Sequence, residues 1–281
     1  MEDKSIFIIE HAIKLFANKG FSATSVQEIA NECGISKGAF YLHFKSKDAL
    51  LLEIFYYYSR KIQLKTDEIE AEDLQPRQKF IQKLSVTFEE IITHREFIIM
   101  QIREQAIPFN HDIEEFLRHM RFNSYHFYKK NLIDIYGDRI NEFVWEVTLI
   151  LQGIFKTYID LIIIENVKFD IKRLCEEMLK RADYIVEGFK HNNDQPVITH
   201  ELMSEIIPDD FYSRQLELMK HTLEEKQAAA PKEIQDTIAV LLEELIRTEP
   251  RTAVIKGMLT NLEEEDGFQQ IVGQIRSYFH V

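Results

Sequence analysis

Apolar residues in this 281-residue chain recur at intervals of three and four, and a sustained apolar–polar alternation occurs nowhere. That spacing stacks apolar side chains on one face of a 3.6-residue helix, so a core has to be made by packing helices on one another. Nine glycines and six prolines are too few for a turn-rich β fold. The expected class is all-α. With 45% hydrophobic and 29% charged residues, the chain reads as globular and large enough to bury a substantial core.

The helices can be placed from their punctuation. Ile6, Ile9, Ile13 and Phe16 share one face, Ser5 can cap its start, and Gly20 supplies a left-handed stop across which Phe21 folds back on Phe16. "SVQEIANECG" opens with a capping box, Ser25 with Glu28, carries Val26, Ile29, Ala30 and Cys33 as its apolar face, and stops at Gly34. Ser36 caps a short helix from Lys37 to Phe44, and Ser46 a long one to about Lys65. Further helices are expected from Pro76 to about His94, from Phe97 to Ala106, over 112–136 and, after Gly137, from Asp138 to about Glu165. Residues 170–190 keep one apolar face throughout. "KHNNDQP" at 190–196 reads as a linker, and 197–281 as an acidic helical extension.

Two short helices joined at Gly34, with small Ala30 at the crossing, make a helix-turn-helix. Its second helix contains a glycine that weakens a helix by up to about 1 kcal/mol. Gly38 sits in the first turn, where a missing side chain lets the backbone approach a phosphate, while Tyr41, Lys37, Lys45 and Lys47 are spaced to reach phosphates or base edges. Phe40 and Phe44 face inward as anchors. The charge is distributed accordingly. Residues 1–47 carry six Lys and no Arg against five acidic residues, a net of +1, whereas the whole chain is −13. The head can hold a polyanion that the body repels.

The stretch "LFANKGFSATSVQEIA" followed by "GISKGAFYLHFKSKDAL" resembles the DNA-binding domain of the TetR family of bacterial repressors. The resemblance implies a helix-turn-helix DNA-binding domain over 1–47 and a helical ligand-binding and dimerisation domain over 48–192. It does not extend to 197–281. Carried over residue by residue, it makes Thr24 and Lys47 phosphate contacts and places Ser36, Lys37, Gly38, Ala39, Tyr41 and His43 in the recognition segment. Leu42 departs from the aromatic or polar residue common there, and Ala39 offers only a methyl group. Base readout then rests on few side chains, Lys37 and Tyr41 among them, with DNA shape supplying the rest.

The resemblance further implies a homodimer on a palindromic double-stranded operator, joined through helices at about 138–166 and 170–190. The apolar character of both segments agrees. It also implies a small-molecule inducer among the middle helices, with Phe88, Phe97, Met100, Arg103, Phe122, Tyr125, Trp145, Thr148, Gln152 and Phe155 as candidate wall residues for a hydrophobic ligand. An activator of the same fold, or a protein-interaction adaptor using the acidic extension, are the other readings.

No P-loop, dinucleotide fingerprint, nucleophile elbow or metal-spaced His/Cys cluster occurs, so neither enzymatic activity nor a cofactor or metal is expected. The acidic N-terminal stretch does not read as a signal peptide, and Glu146, Lys156 and Asp160 interrupt the most apolar run, so no membrane span is expected. Cys33 and Cys175 fall on apolar helix faces, as in a reduced bacterial cytoplasm.

Overall fold

A computed structural model describes residues 3–104, 111–192, 194–207, 211–228, 230–247, 250–263, 265 and 267–279, and every regular element among them is helical. The first four helices follow their sequence signals. α1 (Asp3–Lys19) fully buries Ile9, Ala12 and Phe16, and stops at Gly20, whose φ is +89°. Phe21 returns across that stop to meet Phe16 edge-on, with ring centroids 5.1 Å apart. α2 (Val26–Glu32), α3 (Lys37–His43) and α4 (Lys47–Ala71) begin at Ser25, Ser36 and Ser46, each accepting the amide three residues on. Each such cap is worth about 0.5–2 kcal/mol.

α4 runs beyond the Lys65 expected from sequence, because its far end is gripped by neighbours. α5 (Pro76–Thr93) sends Lys83 to the Glu70 carboxylate at 2.6 Å and Lys79 to the Glu70 carbonyl at 2.6 Å. Lys130, on α7 (His111–Tyr136), reaches the same carboxylate at 3.2 Å. These partners hold Glu70 ionised against the burial that opposes it.

Between α5 and α7 lies α6 (Arg95–Glu104). Gly137, at φ +61°, ends α7. The sequence expectation of one long helix from Asp138 needs correction here: Gly137–Phe143 winds as a 3-10 turn, and α8 (Val144–Ile163) begins only after it. A 3-10 turn puts residues i and i+3 on one side, and here it buries both Ile140 and Phe143. α9 (Ile171–Asn192) then packs across α5 and α8, with Phe189 stacked on Phe143 at 4.6 Å. Arg77 of α5 holds Asp183 of α9 with two hydrogen bonds of 2.8 and 2.7 Å, and the Tyr136 hydroxyl donates to the same carboxylate at 2.7 Å. One charge thus ties α5, α7 and α9 together.

Lys4–Ile206 forms one compact unit. The head is not a bead on a string: its core continues into the body. Leu50, Leu51 and Ile54 of α4 are buried in the same cluster as Phe16, Ile29 and Phe40. One turn on, Phe55 and Tyr58 meet Phe97 of α6, with centroids 5.4 and 4.8 Å apart.

The chain also stays on this body past the linker expected at 190–196. Backbone amides of Val197 and Ile198 both donate to Glu146 at 2.8 Å. His200 lies 3.2 Å from the Trp145 indole nitrogen and 2.9 Å from the Asn141 carbonyl, and short α10 (His200–Ile206) buries Met203. The second compact unit therefore begins at Ile207, beyond the Val197 suggested by composition. It contains α11 (Phe211–Gln227), α12 (Lys232–Leu245), α13 (Thr252–Glu263) and α14 (Gln269–Phe279), closed on their own core of Leu223, Ile238, Leu241, Ile255, Leu259, Val272 and Ile275. Buried Glu244 accepts the backbone amide and the Nε–H of Arg251, both at 2.9 Å, which fixes the turn between α12 and α13. Pro231 and Pro250 precede α12 and α13, where a missing N–H is harmless; Pro208 lies outside the described residues. Among the described residues no helix is long and apolar enough to cross a membrane.

Candidate nucleic-acid interface

α2 and α3 owe their crossing to three small features. Ala30 is fully buried where they meet, and its carbonyl accepts the Ile35 amide at 2.9 Å. Gly34, at φ +66°, makes the turn that an L side chain would strain. At the start of α2, Glu28 accepts the Ser25 amide at 2.8 Å and the Lys19 ammonium at 2.7 Å. Those bonds, Lys19 first among them, lower the Glu28 carboxyl to about 2.

α3 is anchored by Phe40 and, at its C-cap, Phe44. His43 Nδ1 lies 3.1 Å from the Ser5 hydroxyl and pins the end of α3 to α1. With that side held, the opposite face is fixed outward. It presents Lys37, Gly38, Tyr41 and Leu42, all exposed, with exposed Lys45 just beyond the C-cap, and α3 contains no acidic residue. A Cβ added at Gly38 would meet only the Ser36 hydroxyl, at an ordinary 3.7 Å, and its φ is not in the left-handed region. Nothing among the described residues requires glycine at 38.

The structure sorts the residues predicted from sequence. Lys37, Gly38 and Tyr41 share the exposed face, with half-buried Ala39 at its edge. Ser36 sits exposed beside them with its hydroxyl accepting the Ala39 amide at 3.0 Å. His43 faces α1 instead. Thr24 is buried, 1% exposed, and its hydroxyl donates to the Gly20 carbonyl at 2.8 Å. It locks the α1–α2 turn and has no surface to offer a phosphate.

Lys47 departs furthest from expectation. Its ammonium donates to the Phe21 carbonyl at 2.7 Å and the Thr24 carbonyl at 2.8 Å, and lies 4.3 Å from the centre of the Phe21 ring. A cation placed on inward carbonyls staples α4 to the α1–α2 turn. Its spacing in sequence gave the charge but not the direction in which it points. The residue that sequence reasoning left out of the interface is Leu42, 85% exposed. The signal was present: a large aliphatic side chain on the polar side of a short amphipathic helix.

The residues expected to wall a ligand lie on α5 to α8. Phe97 and Met100 belong to the core shared with the head. Phe88 lies against Phe155 at 4.1 Å, with Tyr128 next at 6.4 Å. Phe122 is buried, Tyr125 half-buried, and Gln152 donates to the Ser124 hydroxyl at 2.7 Å. Trp145 carries Lys129 over its ring at 4.4 Å and His200 at its nitrogen. Thr148 is wholly buried and its hydroxyl has no hydrogen-bond partner among the described residues. The Arg103 side chain lies outside the described residues. A cavity of about 530 Å³ opens elsewhere, among Gln75, Arg77, Asp134, Tyr136, Arg139 and Asp183.

A rigid head with a positively framed, glycine-relieved helix face, core-packed onto an all-helical body, defines a helix-turn-helix DNA-binding regulator. The profile described as "Bacterial regulatory proteins, tetR family" matches residues 8–54. The HTH-type transcriptional regulator YuxN of Bacillus subtilis (strain 168) is 32% identical over 98% of this chain and 97% of its own length. YerO of the same organism, also an HTH-type transcriptional regulator, is 33% identical over 93% of this chain and 90% of its own. The chain belongs to the TetR family. Its relatives are transcriptional regulators, a non-enzymatic kind.

Among solved structures, a TetR-like transcriptional regulator from Rhodococcus sp. RHA1 shares the fold with a TM-score of 0.56 at 16% identity, over 67% of this chain and 98% of that one. The fatty acid degradation regulator FadR from Bacillus halodurans does so with a TM-score of 0.54 at 15% identity, over 65% and 95%. The fold thus matches over two-thirds of the chain, whereas YuxN runs alongside nearly all of it.

Proposed function

We propose that this regulator is a homodimeric repressor that lays α3 of each protomer into successive major grooves of a palindromic operator and leaves it when a small ligand binds the body. The observation that carries the DNA contact is Gly38: exposed, unneeded by the fold, and flanked by Lys37, Tyr41 and Lys45. Glycine there weakens α3 and is useful only to something that approaches from outside.

Dimerisation through α8 and α9 is supported by what one protomer leaves uncovered. Leu149, Ile150, Ile154 and Leu161 of α8 remain half-buried, and exposed Gly153 has open space where a Cβ would be. On α9, Tyr184 is 73% exposed and Gly188 is similarly open. A partner's helices laid across these would bury them and set the two copies of α3 at the groove repeat of about 34–36 Å.

The ligand reading is supported by Thr148, whose wholly buried hydroxyl lacks a partner among the described residues. A mainly apolar molecule with one polar group suits that spot, and it must favour the DNA-incompetent arrangement to act. The shared packing of Phe55, Tyr58 and Phe97 gives the body a direct hold on the head. Operator binding places the protein in the bacterial cytoplasm.

The test is selection of bound sequences from a random duplex pool, followed by affinity against salt concentration. The expected outcome is a palindrome bound by a dimer with a steep salt slope. A chain that sediments as one protomer and retains no duplex at low ionic strength defeats the reading.

A further inference from the structure

We propose that Leu42 reads the C5-methyl group of a thymine in each operator half-site; this rests on the DNA-binding reading above. Leu42 is 85% exposed, the most exposed of the large hydrophobic residues described. Its position is not a matter of a loose side chain. Two residues from fully buried Phe40, it projects about 200° around the helix from the anchored side, where no rotamer returns it to the core. The helix around it is braced, by Phe44 in the core, by His43 against Ser5, and by Tyr41 set edge-on to Phe40 with centroids 5.5 Å apart.

The surroundings select the kind of surface that meets it. One turn before Leu42 is Gly38, where no side chain projects; exposed Lys37 lies at the helix start and exposed Lys45 just past its C-cap. An aliphatic side chain framed by cations, on a helix without acids, complements a groove with phosphate walls and an apolar feature on its floor. In the major groove that feature is the thymine methyl. Leucine can neither donate nor accept a hydrogen bond. Laid over the edge of guanine, cytosine or adenine, it displaces water from polar atoms and gives nothing back, so it disfavours those bases as well as favouring thymine.

The experiment uses the full chain and the operator recovered by selection. Each thymine is replaced in turn by uracil, symmetrically in both half-sites, which deletes the C5-methyl and nothing else. One buried methyl corresponds to roughly fourfold in affinity, so about fifteenfold over two half-sites is expected at one position. Leu42→Ala folds normally, since the side chain is exposed, and is expected to bind thymine and uracil duplexes alike at that position. Leu42→Gln is expected to move the preference there toward adenine.

Wild-type protein indifferent to uracil at every position overturns the assignment. So does a Leu42→Ala variant that keeps the full thymine-to-uracil difference. Failure to recover any duplex removes the operator reading itself and the Leu42 assignment with it, and is told apart by the absence of binding before any base is changed.

Discussion

Lys47→Met separates two jobs that one lysine could do. Methionine keeps most of the stem and removes the ammonium. In the structure that ammonium makes hydrogen bonds of 2.7 and 2.8 Å to the carbonyls of Phe21 and Thr24 and sits over the Phe21 ring. Hydrogen bonds to a charged group contribute about 1.5–3 kcal/mol. The acceptors lie near the surface and regain water in the variant, so the net loss falls within that range and does not reach the sum of the contacts. For a unit of this size, about 1.5–3 kcal/mol lowers the melting temperature by about 3–12 °C. Operator affinity falls modestly, because the α1–α2 turn loosens. The slope of log affinity against log salt stays as in the wild type, since no phosphate contact is lost. Differential scanning calorimetry and a salt titration of operator binding read the two quantities. An unchanged melting temperature with a slope reduced by about two, one phosphate per protomer, would refute the staple and restore Lys47 to the interface.

Other perturbations follow from the same geometry. Gly38→Ala is expected to raise thermal stability, by at most about 1 kcal/mol, while weakening operator binding at least tenfold, measured by melting and by fluorescence anisotropy; a stabilised variant with full affinity means that nothing approaches position 38. Glu28 is held at about 2 against an ordinary 4.5, so its contribution is complete above 4.5 and vanishes as pH falls toward 2; the melting-temperature gap between wild type and Glu28→Gln should close over that window. Gly153→Leu meets open space in its own protomer and should leave the fold intact or firmer while shifting sedimentation toward the monomer. Leu241→Ala, in the core of the Ile207–Val281 unit, should cost that unit about 2–5 kcal/mol and advance its unfolding in hydrogen exchange; protection of the α1–α4 amides is expected to stay unchanged.

Local signals made much of the fold legible. Ser25, Ser36 and Ser46 announce three helix starts, and Gly20, Gly34 and Gly137 adopt the positive φ their positions in sequence imply. These features are contained within a few residues of backbone, so their physics is complete in the sequence. The exposed face of α3 is legible for the same reason: once Phe40 is inward, helical geometry puts Leu42 outward. The 3-10 turn at Gly137–Phe143 was less legible, because Ile140 and Phe143 fit either helix type until something exists to bury them together. The way the chain continues on the body past the linker was less legible for a similar reason. "KHNNDQP" has the composition of a linker, yet Glu146, far back in sequence, captures the amides that follow it.

What the sequence alone determined is the all-helical class, the caps and stops of the first helices, and which side of each is apolar, since these depend on periodicity and on single residues acting on their own backbone. Where the polar groups point was decided only by tertiary structure. The family resemblance makes Thr24 and Lys47 phosphate contacts, and in the structure both turn inward because folding brings backbone carbonyls of the α1–α2 turn within reach. A hydroxyl or an ammonium bonds to whatever acceptor lies within about 3 Å, and that neighbour is chosen by packing rather than by spacing along the chain.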